Sequence, residues 1–125
     1  MAKVLVVDDE PLLRTMLADG LAEAGHTVFT ADSGASAIEA ARREPPDCIF
    51  LDIIMPGLNG FETCDALKGD PALAHIPVFL VSATKDLRVV DQAEAVGAAG
   101  VLPKPVPMEE LQHAVALALA GPPGS

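Results

Sequence analysis

Tryptophan and tyrosine are absent, and four phenylalanines are the only aromatics among 125 residues. With half of the chain hydrophobic, its core must be built from Val, Leu, Ile and Ala. Basic residues are scarce too: 8 Lys and Arg stand against 18 Asp and Glu, for a formal net charge of -10. Phosphate contacts need a basic face, so direct nucleic-acid binding by this chain is excluded. There are two cysteines. Cys48 lies inside an apolar strand-like run and Cys64 shares a helical face with Phe61 and Leu67, so both read as small core residues and not as a disulfide or metal pair. His26, His75 and His113 lack ligand spacing, which removes a histidine metal site. No apolar run approaches the roughly 20 residues needed to span a bilayer, and Met1 to Val7 is too short for a signal peptide. No membrane association is expected, and the natural setting is cytoplasmic.

What the chain does have is alternation. Apolar strand-like runs give way to helical stretches five times at βα spacing, which predicts an α/β domain with a parallel sheet covered on both faces. One domain is expected over residues 1–120, with 121–125 a linker start or expression remnant. The strands are predicted at Lys3 to Val7, Thr27 to Ala31, Asp47 to Leu51, Val78 to Val81 and Gly100 to Leu102. The helices follow at Pro11 to Ala24, from Ser33 as N-cap to Arg43, Phe61 to Lys68, Leu87 to Val96 and Met108 to Ala120. Leu13, Met16, Leu17 and Leu21 form the expected inward stripe of the first helix, and Leu111, Val115 and Leu119 that of the last. The mixed second strand suits a sheet edge, while Cys48 to Leu51 suits a strand buried on both faces.

Polar residues stand at the ends of the apolar runs: Asp8 and Asp9, Asp52, Ser82 and Lys104. In an open parallel sheet these ends share one crevice. Two like charges about 4 Å apart repel by roughly 4 kcal/mol at an effective dielectric near 20, so clustered carboxylates call for a cation. Mg2+ suits them: it takes few carboxylates, keeps waters and shares itself with phosphate. Asp52 can then act as phosphoryl acceptor, with Lys104 and Ser82 binding the remaining oxygens. Singly, each residue has a plainer use. Asp8 and Asp9 suit a helix N-terminus, Ser82 a strand end, Lys104 a solvated surface and Asp52 a turn; together they point to phosphate chemistry.

Asp8-Asp9 after Val-Leu-Val-Val, Leu-Asp52-Ile-Ile-Met-Pro56-Gly with Asn59-Gly60 behind it, Val-Ser82-Ala, and Leu-Pro-Lys104-Pro105 together resemble a response-regulator receiver domain of two-component signalling, over about residues 2 to 120. The resemblance implies a flavodoxin-like (βα)5 fold with strand order 2-1-3-4-5. It implies that Asp52 takes phosphate from a sensor histidine kinase or phosphotransfer protein, and that Asp8, Asp9, Asp52 and the Ile54 carbonyl arrange Mg2+. Ser82 and Lys104 read the phosphate, and the Lys104-Pro105 peptide is cis. A downstream output domain or protein is implied but not identified. The only enzymatic act expected is the domain's own phosphorylation and dephosphorylation.

One position departs from the pattern. Receivers often carry an aromatic residue shortly before the lysine, where this chain has Val101, which cannot swing inward as a ring does. Either the loop from Ser82 to Asp86 is therefore the main route of transmission, or the domain couples weakly to phosphorylation. Ile54 and Thr84 flank the expected path of a hydrolytic water. A phosphorylation-independent scaffold is the alternative reading. A hydrolase acting on free substrates fits poorly, because Ile54 occupies the place of the second acid and no cap domain is present. A flavin site lacks its Ser/Thr-rich loop.

Overall fold

The computed structural model describes residues 2–84 and 86–120. The expected tail at 121–125 lies outside them, as does Lys85 of the proposed transmission loop. Five βα units alternate: β1 (Lys3–Val7), α1 (Pro11–Glu23), β2 (Thr27–Ala31), α2 (Gly34–Arg43), β3 (Cys48–Asp52), α3 (Gly60–Gly69), β4 (Val78–Ser82), α4 (Leu87–Ala95), β5 (Gly100–Pro103) and α5 (Met108–Ala120). All strand pairs are parallel, in the order β2-β1-β3-β4-β5. The order reverses between β1 and β3, which opens a crevice at their carboxyl ends.

Side chains alternate across the sheet with period two. Leu5, Val7, Ile49, Leu51 and Leu80 face one layer with Ala37, Ala41, Cys64, Leu67 and Ala93 of α2, α3 and α4. Val4, Val6, Phe50, Phe79 and Val81 face the other with Leu21 of α1 and Leu111, Ala114 and Val115 of α5. Among the described residues aromatic packing is confined to one pair: Phe50 and Phe79 are register partners with ring centroids 5.6 Å apart. Both cysteines are free and buried, as expected of small core residues.

Every residue of β3 and β4 is buried, whereas in β2 the first four residues are exposed or half-buried and only Ala31 is buried. The mixed strand is thus an edge, and β5, half-buried throughout, is the other. Two helix starts are fixed by reciprocal capping, Ser33 with Ser36 and Asn59 with Glu62, which satisfies amides that the first turn leaves unpaired.

Two helical stripes differ from expectation. In α1 the row Leu13, Leu17, Leu21 runs from 39% exposed through half-buried to fully buried, and Met16 is 60% exposed. The first turn of α1 overhangs the strand ends at the crevice, so only its second half covers the sheet. Leu111 and Val115 are buried in α5, but Leu119 is 51% exposed. At about 1.5 Å per residue this thirteen-residue helix outruns the four- and five-residue strands below it, and its last turn has nothing to cover.

Candidate functional site

The carboxyl ends of β1, β3, β4 and β5 surround a cleft of about 310 Å³, lined by Asp9, Glu10, Leu13, Asp52, Ile53, Ile54, Ser82, Ala83 and Lys104. A larger cavity of about 770 Å³, walled by Pro46, Pro77, Phe79 and Leu117, brings together no comparable set of acids, hydroxyl and lysine.

Asp8, Asp9 and Asp52 each offer a carboxylate oxygen, and the three atoms lie within 4.8 Å of one another. Asp8 and Asp52 are buried at 2% and 7% exposure, while Asp9 is exposed. The two oxygens of Asp8 have different duties. Oδ1 accepts from the Glu10 amide at 2.9 Å, and Oδ2 lies 3.8 Å from Lys104 Nζ. Asp8 does not cap α1, whose N-cap is Glu10 without a side-chain cap bond; Oδ1 closes the turn ahead of the helix and the other oxygen is left to Lys104. Arg14, which sequence reasoning passed over, donates from Nη1 to the Asp8 carbonyl at 2.7 Å. Its spacing of six residues across a turn gives no periodic signal.

Lys104 Nζ stands 3.1 Å from Asp52 Oδ1, with 24% of the lysine side chain exposed. A charge-assisted contact of this kind contributes about 1.5–3 kcal/mol. It only partly offsets burial, which pushes the Asp52 carboxyl above its ordinary value; the Lys104 contact opposes that rise, and the negative charges of Asp8 and Asp9 add to it. Three carboxylates against one ammonium leave two negative charges when all are ionised. The donor set is hard oxygen with a divalent deficit, and so fits a small divalent cation.

Ser82 is 3% exposed. Its hydroxyl donates to the Thr84 carbonyl at 3.0 Å and accepts from the Thr84 amide at 3.1 Å, a local serine turn. The Ser82 carbonyl accepts the Lys104 amide at 2.8 Å, so one rung joins β4 to the end of β5. Thr84 is itself exposed and lies outside the cleft lining. The Ile54 side chain is 77% exposed at the rim. Val101 is not at the cleft: it pairs with Leu80 in mid-strand and packs against the core layer of α2, α3 and α4. The Lys104-Pro105 peptide is cis, as the motif implied.

Gly60 shapes the site from behind. Its amide donates to the Ile53 carbonyl at 2.7 Å, and a Cβ there would lie 2.6 Å from the Asp52 carbonyl oxygen. Only a residue without a side chain lets α3 start so close to the acceptor.

The response regulator receiver domain model matches residues 4–116. Protein PilH of Pseudomonas aeruginosa is 40% identical over 123 residues, covering 97% of this chain and 100% of that protein. Response regulator PleD of Caulobacter vibrioides is 40% identical over 105 residues, covering 84% of this chain but only 23% of that longer protein. Among solved structures, chemotaxis protein CheY4 of Vibrio cholerae superposes with a TM-score of 0.89 at 33% identity, covering 94% of this chain and 98% of that one. Fold, sheet order and matched sequence agree from β1 into α5, and the chain belongs to the response regulator receiver domain family.

Proposed function

We propose that this receiver domain is a phosphorylation-dependent switch that accepts a phosphoryl group on Asp52 from the phosphohistidine of a sensor kinase or phosphotransfer protein. The observation that carries this reading is the closure of Asp8, Asp9 and Asp52 within 4.8 Å around one lysine contact. Asp8, Asp9, Asp52 and the Ile54 carbonyl would hold Mg2+. When bound, that ion neutralises the acid cluster and offsets charge on the phosphoryl oxygens.

Asp52 Oδ1 is engaged by Lys104, which leaves Oδ2 as the attacking oxygen. The new P–O bond forms as the P–N bond of the donor imidazole breaks, and the ring nitrogen keeps the electron pair and takes a proton. Little covalent help is needed; positioning and charge stabilisation suffice. Lys104 and Ser82 then bind the remaining phosphoryl oxygens. The domain's enzymatic work is confined to its own phosphorylation and dephosphorylation, in a cytoplasmic setting. No helix among the described residues is long and apolar enough to cross a membrane.

A phosphorylation-independent scaffold is the second reading, and the observation favouring it is Val101, packed in the core layer where a mobile ring is usual in the family. Incubation with Mg2+ and acetyl phosphate separates the two. A covalent mass increase is expected in the wild type and none in Asp52→Asn. No increase in the wild type, together with no Mg2+ binding by calorimetry, would favour the scaffold.

A further inference from the structure

A second polar cleft, of about 300 Å³, wraps the open edge of β2 away from the acidic centre. Arg14 of α1 closes it on one side, and Ser36, Ala40 and Arg43 of α2 on the other. The last three are spaced by four and three residues and so share one helical face. Ala40, the small residue between them, leaves room for a guest.

The charge arrangement sets this cleft apart. The chain has 18 acids to 8 bases, and four of the bases are arginines. Arg42 pairs with Asp70 and Arg88 with Asp86. Among the described residues no carboxylate lies within 4.0 Å of Arg14 or Arg43, and both line this one cleft. Two guanidinium groups without a carboxylate partner among the described residues form a local positive island, and planar guanidinium forks suit phosphate oxygens.

The sheet edge supplies further donors. In β2 the Thr27 amide donates to Ala2 and the Ala31 carbonyl accepts from Asp8, both toward the β1 side. Parallel pairing alternates direction with each residue, so Thr30 turns its backbone N–H away from β1 and toward the open edge. Thr30 lines the cleft. One acid, Asp32, lies there as well; its Oδ1 accepts from the Ser36 hydroxyl at 3.2 Å and opposes an anion by its charge.

We propose that this cleft is a second anion site, taking one phosphate-class dianion between Arg14 and Arg43 with Thr30 at its floor. Arg14 also donates to the Asp8 carbonyl, so one side chain touches both this cleft and the acidic centre. The test is titration of the intact chain with inorganic phosphate at fixed ionic strength, without Mg2+, followed by amide chemical shifts. Saturable shifts are expected at Thr30, Ser36 and Arg43. Arg43→Gln, on an exposed helix end, should weaken binding about tenfold, and Ala40→Leu, which fills the cleft and keeps both charges, should abolish it. Asp32→Asn should tighten binding about threefold by removing a like charge. Shifts that never saturate, shifts confined to Asp52, Ser82 and Lys104, or a variant that binds like wild type would each overturn the proposal.

Discussion

The Ser82 hydroxyl is closed on Thr84, giving its proton to the carbonyl at 3.0 Å and accepting the amide at 3.1 Å. A hydroxyl held this way must turn its proton from the Thr84 carbonyl before it can serve a phosphoryl oxygen. Lys104 is committed too, at 3.1 Å from Asp52. On the proposed function, phosphorylation would exchange existing contacts for stronger ones.

That exchange limits the switch. Replacing a neutral hydrogen bond of about 0.5–1.5 kcal/mol by a charge-assisted one of about 1.5–3 gains roughly 1–1.5 kcal/mol at Ser82. A near-complete two-state shift needs about 5.5 kcal/mol. The isolated phosphorylated domain is expected to populate both states, with Ala83 and Thr84 amides at intermediate shifts. In Ser82→Ala, phosphorylation should persist while those shifts disappear. Unchanged loop shifts in the variant would remove Ser82 from the switch, and shifts concentrated in β5 would move the route to Val101.

Ile54, 77% exposed at the cleft rim, presents hydrocarbon where a hydrolytic water would approach. An amide there can hold that water with one hydrogen bond of about 0.5–1.5 kcal/mol, equivalent to a rate change of up to about tenfold. Ile54→Asn is expected to shorten the phosphoryl lifetime accordingly, read as loss of label from the phosphorylated protein. Equal decay in the two proteins would assign the water to another position.

Burial raises the Asp52 carboxyl above its ordinary value of 3.8, against the pull of Lys104 and with the push of Asp8 and Asp9. The folded protein thus binds that proton more tightly than the unfolded chain. The resulting contribution to stability is present below about pH 3.8 and is lost as the pH rises through the folded-state value. At neutral pH without divalent cations, Asp52→Asn should melt higher than wild type, with the gain shrinking toward acid. Mg2+ at a hundred times its Kd should stabilise the wild type by about 2.7 kcal/mol, and Asp8→Asn or Asp9→Asn much less.

Gly60→Ala places a Cβ 2.6 Å from the Asp52 carbonyl oxygen and 2.7 Å from the Ile53 Cα, both backbone atoms that cannot rotate aside. Overpacking of this kind costs about 1–3 kcal/mol. Urea unfolding should show that loss, and Mg2+ affinity should fall with it because β3 ends under strain. A variant as stable as wild type would mean that α3 can back away.

Much of this was legible because the chemistry sits where two simple periodicities end. Asp8, Asp52, Ser82 and Lys104 each follow an apolar run, and a parallel sheet delivers such residues to one place without further information. The alternation of Val4 to Val7 across two core layers is equally plain. Contacts made between elements were not legible. The exposure of Leu13 and Met16 depends on how far α1 overhangs the sheet, which no periodicity within α1 encodes. Gly60 belongs to a legible motif, but its need to lie against the Asp52 backbone is a tertiary fact. Arg14 reached Asp8 through a turn whose geometry six residues of sequence do not announce.

The rung between the Lys104 amide and the Ser82 carbonyl, 2.8 Å long, launches the Lys104 and Ser82 side chains from one hydrogen-bonded step. A slip of one residue in β5 would turn Pro103 or Pro105 to the cleft and carry the ammonium away. A molecule whose final strand had docked out of step would keep its acceptor carboxylate and lose its counter-charge. On the proposed function, competence to accept a phosphoryl group is thereby tied to correct completion of the sheet.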